Sequence, residues 1–286
     1  MIPDWETNCV FLASMLKVRH PEIFTGLHKA LTTHGIDVRF VDHVRDIWVR
    51  DFCPVQTGDG QLVKFRYDPD YLRDSPELKT GGGIVKSVHD LGRCRRLSII
   101  LDGGNIVASR TKAIVTEKIY KENAGRSRAE LRQKLQGLLQ VDQLIVIPKE
   151  PLDPIGHSDA VVRFIDEHSV LVNDYAQADP EYGERLVKVL RHHDLAIETL
   201  PYHPEKEVRA GIPSAVGCYT NFLRTEKVLV APVFGTEQDD AALRKLKTVF
   251  PDLPIAPLTC TDLAREGGIL NCASASYRHP VTKSRA

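Results

Sequence analysis

Apolar residues along this chain fall in short blocks that alternate between strand-like and helix-like spacing. NCVFLA (8–13) is apolar over most of its six residues, the length of a buried strand. PEIFTGLHKALTTH (21–34) then places Ile23, Leu27 and Leu31 four apart, on one helical face. Pro21 suits the first turn of that helix, and Gly35 stands just past its end. DVRFVD (37–42) returns to a strand pattern, and WVRDFCPVQ, LVKFRY and SIILDGGNIVAS predict more strands. SRAELRQKLQGLL (127–139) reads as a helix, with Ser127 and Glu130 as a capping box and Leu131, Leu135 and Leu138 as its apolar stripe. QLIVIPK follows as a strand. A third helix, EYGERLVKVLRHHD (181–194), is announced by Asp179-Pro180, and a fourth, DDAALRKLKTVF (239–250), stops at Pro251. AIETLPY, CYTNFLRTEKVLVAPVF and DLPIAPL predict the strands around them.

The last three helices start near residues 126, 180 and 237. That spacing suggests a repeat, and five modules of about 57 residues, counted from Pro21, would fill the chain. The stretch between 68 and 92 is the weak module: it holds Gly81, Gly82 and Gly83 and few good helix formers. Repeated strand and helix point to an α/β or α+β array. With no low-complexity linker, residues 1–280 are expected to form a single domain, and the polar end, residues 281–286, a mobile tail.

The chain has 286 residues, 42% of them hydrophobic, with 38 basic and 38 acidic side chains and no net charge. This is the composition of a folded domain and excludes a disordered or fibrous chain. Zero net charge argues against a nucleic-acid or anionic-membrane partner. No apolar run approaches the ~20 residues of a membrane helix, and MIPDWETNCVFLA lacks the basic start of a signal peptide. The six cysteines, Cys9, Cys53, Cys94, Cys218, Cys260 and Cys272, form no CxxC pair. They read as reduced thiols in a cytoplasmic protein.

Four segments place polar or ionisable residues beside glycine, or at the edge of an apolar run: WVRDF (48–52), LDGGNIV (101–107), GHSDAVVRF (156–164) and REGGILNCAS (265–274). Glycine lets a backbone turn sharply or approach a ligand closely. If 156–164 is extended, His157 and Asp159 share a face. Such a pair can be structural, move protons or ligate a metal, but no further ligands stand at matching spacing. Cys272, near Gly267 and Gly268, is a candidate nucleophile with His157 as its partner. Asp51, Asp102 and Asp159 supply more carboxylates than a neutral ligand needs. A planar guanidinium cation is their natural match, and Trp48 offers a π face to it.

Taken in order, these segments resemble the agmatine deiminase and Porphyromonas-type peptidylarginine deiminase family, within the guanidine-modifying pentein superfamily. WVRDF resembles its Trp-x-Arg-Asp motif, LDGGNIV its Glu-Gly-Gly-Asn motif, GHSDAVVRF its Gly-His-x-Asp motif, and GGILNC its terminal Gly-rich segment with the nucleophilic Cys. GCYTNFLRTEKVLVAPVFG (217–235) resembles its Tyr-x-Asn-Phe and Pro-x-Phe-Gly region. The resemblance runs from IPDWE (2–6) through Cys272.

The resemblance implies a five-bladed α/β propeller (pentein) of ββαβ modules with pseudo-fivefold symmetry and a central active site. It implies hydrolysis of a linear amidine, an alkylguanidine of the agmatine, arginine or peptidyl-arginine type, to a ureido product and ammonia. Cys272 would attack the guanidinium carbon to give a thiouronium intermediate. His157 would act as acid, then base, with Asp102 orienting it. Asp51 and Asp159, with Trp48, Asn105 and Gly268, would form the substrate site. No metal or organic cofactor is implied, and a homodimer is compatible with the family. Asp102 stands where the family has Glu, and Asn271 where it commonly has His, so the substrate stays open. The alternatives are an amidinotransferase of the same superfamily and a non-catalytic pentein that binds a partner.

Overall fold

The computed structural model describes residues 1–151, 153–209 and 211–279; the end of the chain predicted to be mobile, 281–286, lies outside the described residues. The described strands form five three-stranded sheets and one two-stranded ribbon, a mixed α/β fold. The five sheets share one pattern. In each, a central strand pairs antiparallel with one neighbour and parallel with the other.

Cys9–Ala13 lies between Ser274–Tyr277 and Asp37–Val41, so strands from near both ends of the chain share a sheet. Leu62–Arg66 lies between Val55–Gln56 and Cys94–Ile100. Lys112–Thr116 lies between Val107–Ala108 and Gln143–Ile147. Ser169–Asn173 lies between Val162–Phe164 and Ala196–Leu200. Leu229–Val233 lies between Leu223–Arg224 and Ile255–Thr259. A parallel neighbour requires a crossover, usually a helix. Pro21–Thr33, Arg128–Leu139, Pro180–His192 and Asp239–Val249 provide four of them. The weak second module crosses instead through 3₁₀ turns, Gly82–Leu91.

The helices form where their spacing and caps predict. Ser127 accepts from the Glu130 amide, and Glu130 reaches back to Ser127, completing the capping box. The buried stripe of that helix is Leu131, Leu135 and Leu139, with Leu138 only partly buried. The predicted stripe therefore ran one residue out of phase at its end, before Gln140 closes the helix in the left-handed region at φ 54°. Each such leucine contributes roughly 1.5–3 kcal/mol on burial.

The cores bridge neighbouring sheets. Leu131, Leu135 and Leu139 pack with Val63, Phe65 and Ile99 of the second sheet as well as Ala113 and Val115 of the third. Leu186 and Leu190 meet Ile114 and Ile145 of the third sheet and Val170 of the fourth. Leu27 and Leu31 share a core with Val10 and with Leu229 and Val230 of the fifth sheet. Phe11, Phe52 and Leu62 join the first sheet to the second. Among the described residues, no helix is long and apolar enough to cross a membrane.

Candidate active site

The candidate residues lie on equivalent parts of the fold. Each sits on a connection from the third strand of one sheet to the first strand of the next. The first connection carries Trp48 and Asp51, the second Asp102 and Asn105, the third His157 and Asp159, and the last Gly268 and Cys272. The fourth carries Asn221, which sequence reasoning passed over.

Hydrogen bonds join these connections in a chain that returns to its start. The Gly104 amide donates to Asp51 Oδ1 (3.1 Å), and the Ser158 amide to Asn105 Oδ1 (3.2 Å). Thr220 Oγ1 donates to the Ala160 carbonyl (3.0 Å), the Cys272 amide to Asn221 Oδ1 (3.3 Å), and the Arg50 amide to the Cys272 carbonyl (3.1 Å). Two local expectations change. Val49–Phe52 is a single helical turn rather than strand, because the chain reverses there before Val55–Gln56. His157 is extended (φ −86°, ψ 148°), but Ser158–Ala160 is a 3₁₀ turn, so His157 and Asp159 do not share a strand face.

His157 is wedged between two carboxylates. Its Nε2 lies 3.0 Å from Asp102 Oδ2, and its Nδ1 lies 3.5 Å from Asp51 Oδ1. Gly103 and Gly104 make this approach possible. A Cβ on Gly103 would collide with the Arg50 carbonyl, and one on Gly104 would lie 2.6 Å from both Asp51 Oδ1 and His157 Nδ1. Asn105 is 1% exposed, and its carbonyl oxygen accepts from the Thr116 and Ser158 amides. That oxygen holds the His157 connection in place.

Asp51 and Asp159 both act by charge on the sulfur of Cys272. Cys272 Sγ lies 3.7 Å from Asp159 Oδ2 and receives the Asn221 side-chain amide at 3.3 Å. Of the six free cysteines, only Cys94 and Cys272 escape full burial. Asn271 Nδ2 donates to the same Asp159 oxygen at 2.6 Å, while its Oδ1 accepts from Arg50 Nη2 at 3.3 Å. Asp159 Oδ1 is buried and has no hydrogen-bond partner among the described residues. Trp48 packs on Gly268, where a Cβ would come within 2.7 Å of the indole ring.

The charges oppose one another in an orderly way. Burial pushes Asp51 up to about 7; His157 pulls it down, while Asp102 and Asp159 push it further up. Burial works against a charged His157, but Asp51 and then Asp102 overcome it and hold the imidazole up at about 9. The Cys272 thiol is driven well above its ordinary value by burial, then by Asp159 and Asp51. The site therefore carries negative charge beside a neutral thiol, an environment that favours a cation. Among the described residues, no group of three or more His, Cys, Asp and Glu is arranged to hold a metal ion.

Proteins similar to this chain are known. An agmatine deiminase from Stutzerimonas stutzeri is 26% identical over 281 residues, covering 83% of this chain and 76% of its own. The solved agmatine deiminase of Enterococcus faecalis superposes with a TM-score of 0.78 at 19% identity, covering 98% of this chain and 96% of its own. The C. jejuni agmatine deiminase, solved as a cysteine-to-serine variant with substrate bound, gives 0.77 at 16% identity, with 96% and 95% covered. At these identities the structural matches establish a shared fold. The family model of Porphyromonas-type peptidyl-arginine deiminases matches residues 13–277, nearly the whole chain, and the chain belongs to that family.

Proposed function

We propose that this chain is a guanidine deiminase, a hydrolase acting on the C–N bond of a linear amidine, built as a five-bladed α/β propeller within one catalytic domain of residues 1–280. The observation that carries this reading is the meeting of the Cys272 thiol, on a residue only partly buried, with Asp159 at 3.7 Å and within the charge field of Asp51, itself paired with His157 and, through it, Asp102. The cyclic run of hydrogen bonds and the shared sheet pattern support the propeller. Family membership supports the reaction class.

Asp51 and Asp159 take the guanidinium N–H groups, and the buried free oxygen of Asp159 supplies one acceptor. Fixing the planar cation this way supplies positioning that resonance-stabilised guanidinium needs. The cation offsets the carboxylates that keep Cys272 protonated, so with substrate in place the thiol gives its proton to solvent water and becomes a thiolate, and it takes one back when the product leaves. Sγ then bonds to the guanidinium carbon. Protonated His157 gives its proton to one departing nitrogen, and ammonia leaves with breakage of that C–N bond. The product of this half is an S-alkylthiouronium. Neutral His157 next takes a proton from water as the water oxygen attacks the same carbon. The C–S bond breaks, releasing the ureido product and restoring the sulfur.

A panel of agmatine, free arginine, an arginyl peptide and a plain alkylguanidine, assayed for ammonia and ureido product, tests the activity. Equal amounts of both products from at least one compound, without added amine, are expected. Turnover only when an amine acceptor is supplied would instead establish an amidinotransferase, and binding without turnover a non-catalytic protein.

Asn221 enters the same scheme as the donor to the attacking sulfur. Its loss removes two hydrogen bonds: the one to the charge that forms on the sulfur, worth about 1.5–3 kcal/mol, and the one its Oδ1 accepts from the Cys272 amide. Asn221→Ala is therefore expected to lower kcat about 10- to 100-fold with KM changed less than about threefold. A steady-state comparison that finds kcat intact would remove Asn221 from the chemistry.

A further inference from the structure

Behind the His157–Asp102 pair lies a buried lysine that the proposed chemistry does not use. Lys118 begins the short helix Lys118–Glu122, directly after the strand Lys112–Thr116. Its side chain is 1% exposed, and its Nζ lies 3.1 Å from Glu122 Oε1, 3.5 Å from Asp102 Oδ2 and 3.6 Å from Asp70 Oδ1. The Asp102 oxygen it faces is the one that meets His157 Nε2. Lys118 also sits over the Tyr71 ring at 4.7 Å, and that ring stands edge-on to the His157 ring at 6.1 Å. Asp70, next to Tyr71, is held a second time by Lys121 at 2.7 Å.

A cation is stable in such a place only because it is surrounded by acids. Burial works against its charge, and Asp102 and then Glu122 hold the proton on. In return the ammonium acts on its neighbours. It shares the negative field of Asp102 with His157, and its charge opposes protonation of the imidazole. Without it, Asp102 and Glu122 would both press on His157 with no counter-charge on their side. Glu122 is itself pushed up to about 7 by burial, with Lys118 pulling it down.

We propose that Lys118 is a positioning residue of the catalytic centre: its ammonium shares the Asp102 oxygen that faces His157 and so keeps the imidazole proton loose enough to be given away. This rests on His157 being the acid and base of the deiminase reading. The groups facing the imidazole are Asp51, Asp102 and Tyr71, with Lys118 and Glu122 behind Asp102. Asp51 and Asp102 tighten the proton, and Lys118 is the cation that loosens it. Lys118 also forms part of the wall of a cavity of about 700 Å³, together with Asp70, Tyr71 and Glu117.

The test is the titration of His157 in substrate-free protein, followed by the ring NMR signals, so that it needs no turnover. In Lys118→Met, loss of a cation at this range is expected to raise the His157 midpoint by about one pH unit, a tenfold tighter proton. In the active enzyme the alkaline limb of kcat moves up by the same amount, kcat falls about tenfold, and KM stays within about threefold. Asp70→Asn frees the Tyr71 segment but leaves the Lys118–Asp102 contact, and should move the midpoint by less than about 0.3 unit. If Lys118→Met does not fold, Lys118→Met with Glu122→Gln replaces the ion pair by two neutral groups and carries the same expectation. An unmoved or lowered midpoint, or an equal shift in Asp70→Asn, overturns the proposal. Those results leave the deiminase reading standing, whereas absence of turnover in every guanidine of the panel would not alter the titration.

Discussion

Cys272→Ala is expected to eliminate turnover while leaving the fold standing. The loss expected is roughly 10⁴- to 10⁶-fold in kcat, the scale seen when a covalent nucleophile is removed from an intact site. Water cannot substitute for the sulfur in the first half of the reaction, because the carboxylates that hold the guanidinium leave its carbon poorly electrophilic. The structural cost is small for a definite reason. The backbone bonds of this connection, from Arg50 to the Cys272 carbonyl and from the Cys272 amide to Asn221, do not involve the sulfur. Alanine removes the Asn221 contact at 3.3 Å, the Asp159 contact at 3.7 Å and a contact with the Ile269 backbone. A melting temperature within a few degrees of wild type is expected for the loss of about 1 kcal/mol in a chain of this size.

Cys53→Ala is the matching control. Cys53 is buried in the core between the first and second sheets, with its thiol driven up to about 12 by burial. It should lose stability and keep its rate. Turnover above about one per cent in Cys272→Ala would contradict a covalent route of any kind. Equal losses in the two variants would show that a packing defect had been mistaken for chemistry.

The sequence carried this site further than it carried its surroundings. Cys272, His157 and the three aspartates stood out because each interrupts an apolar run beside glycine or at its edge, and such interruptions survive only where something compensates them. Helix starts were legible for a similar local reason: Ser127 with Glu130, and Asp179 before Pro180, satisfy backbone donors within one turn. What local pattern could not supply was three-dimensional phase. WVRDF has the apolar content of a strand, yet folds as one helical turn because the chain must reverse between two sheets there. Asn221 looked like one polar residue in a strand-like stretch. Its signals were the resemblance of residues 219–222 to the Tyr-x-Asn-Phe motif and the module count, since each of the other connections had already contributed a polar group. Lys118 was hidden more deeply. A lysine reads as surface, and its burial depends on Asp70 and Asp102, which are distant in sequence, as well as on Glu122, one helical turn away.

In the proposed reaction, the pH dependence of turnover is expected to be set by Asp51 and His157 together. Asp51 must be ionised to grip a guanidinium, and its carboxyl is pushed up to about 7, so kcat/KM should fall as pH drops below about 7. His157 must carry a proton for the departing nitrogen and is held up at about 9, so kcat/KM should fall again above about 9. A bell between these limbs is expected, and because the groups lie 3.5 Å apart the limbs belong to the pair. Asp51→Asn separates them. Losing a buried charge contact of this kind costs about 3–5 kcal/mol, so kcat/KM should fall by roughly two to four orders of magnitude. The acid limb should vanish with the carboxyl. The alkaline limb should move down by about a unit or more, since Asp51 is the strongest influence raising His157. Asparagine still offers an oxygen to the Gly104 amide, so the site keeps its shape. Stability gives an independent sign. A carboxyl raised from 3.8 to about 7 binds its proton more tightly folded than unfolded. Its contribution is complete below about 4 and is lost as pH rises to about 7. The melting temperature of Asp51→Asn relative to wild type should therefore climb across that window. A flat difference, together with an acid limb that persists, would assign the limb to another group.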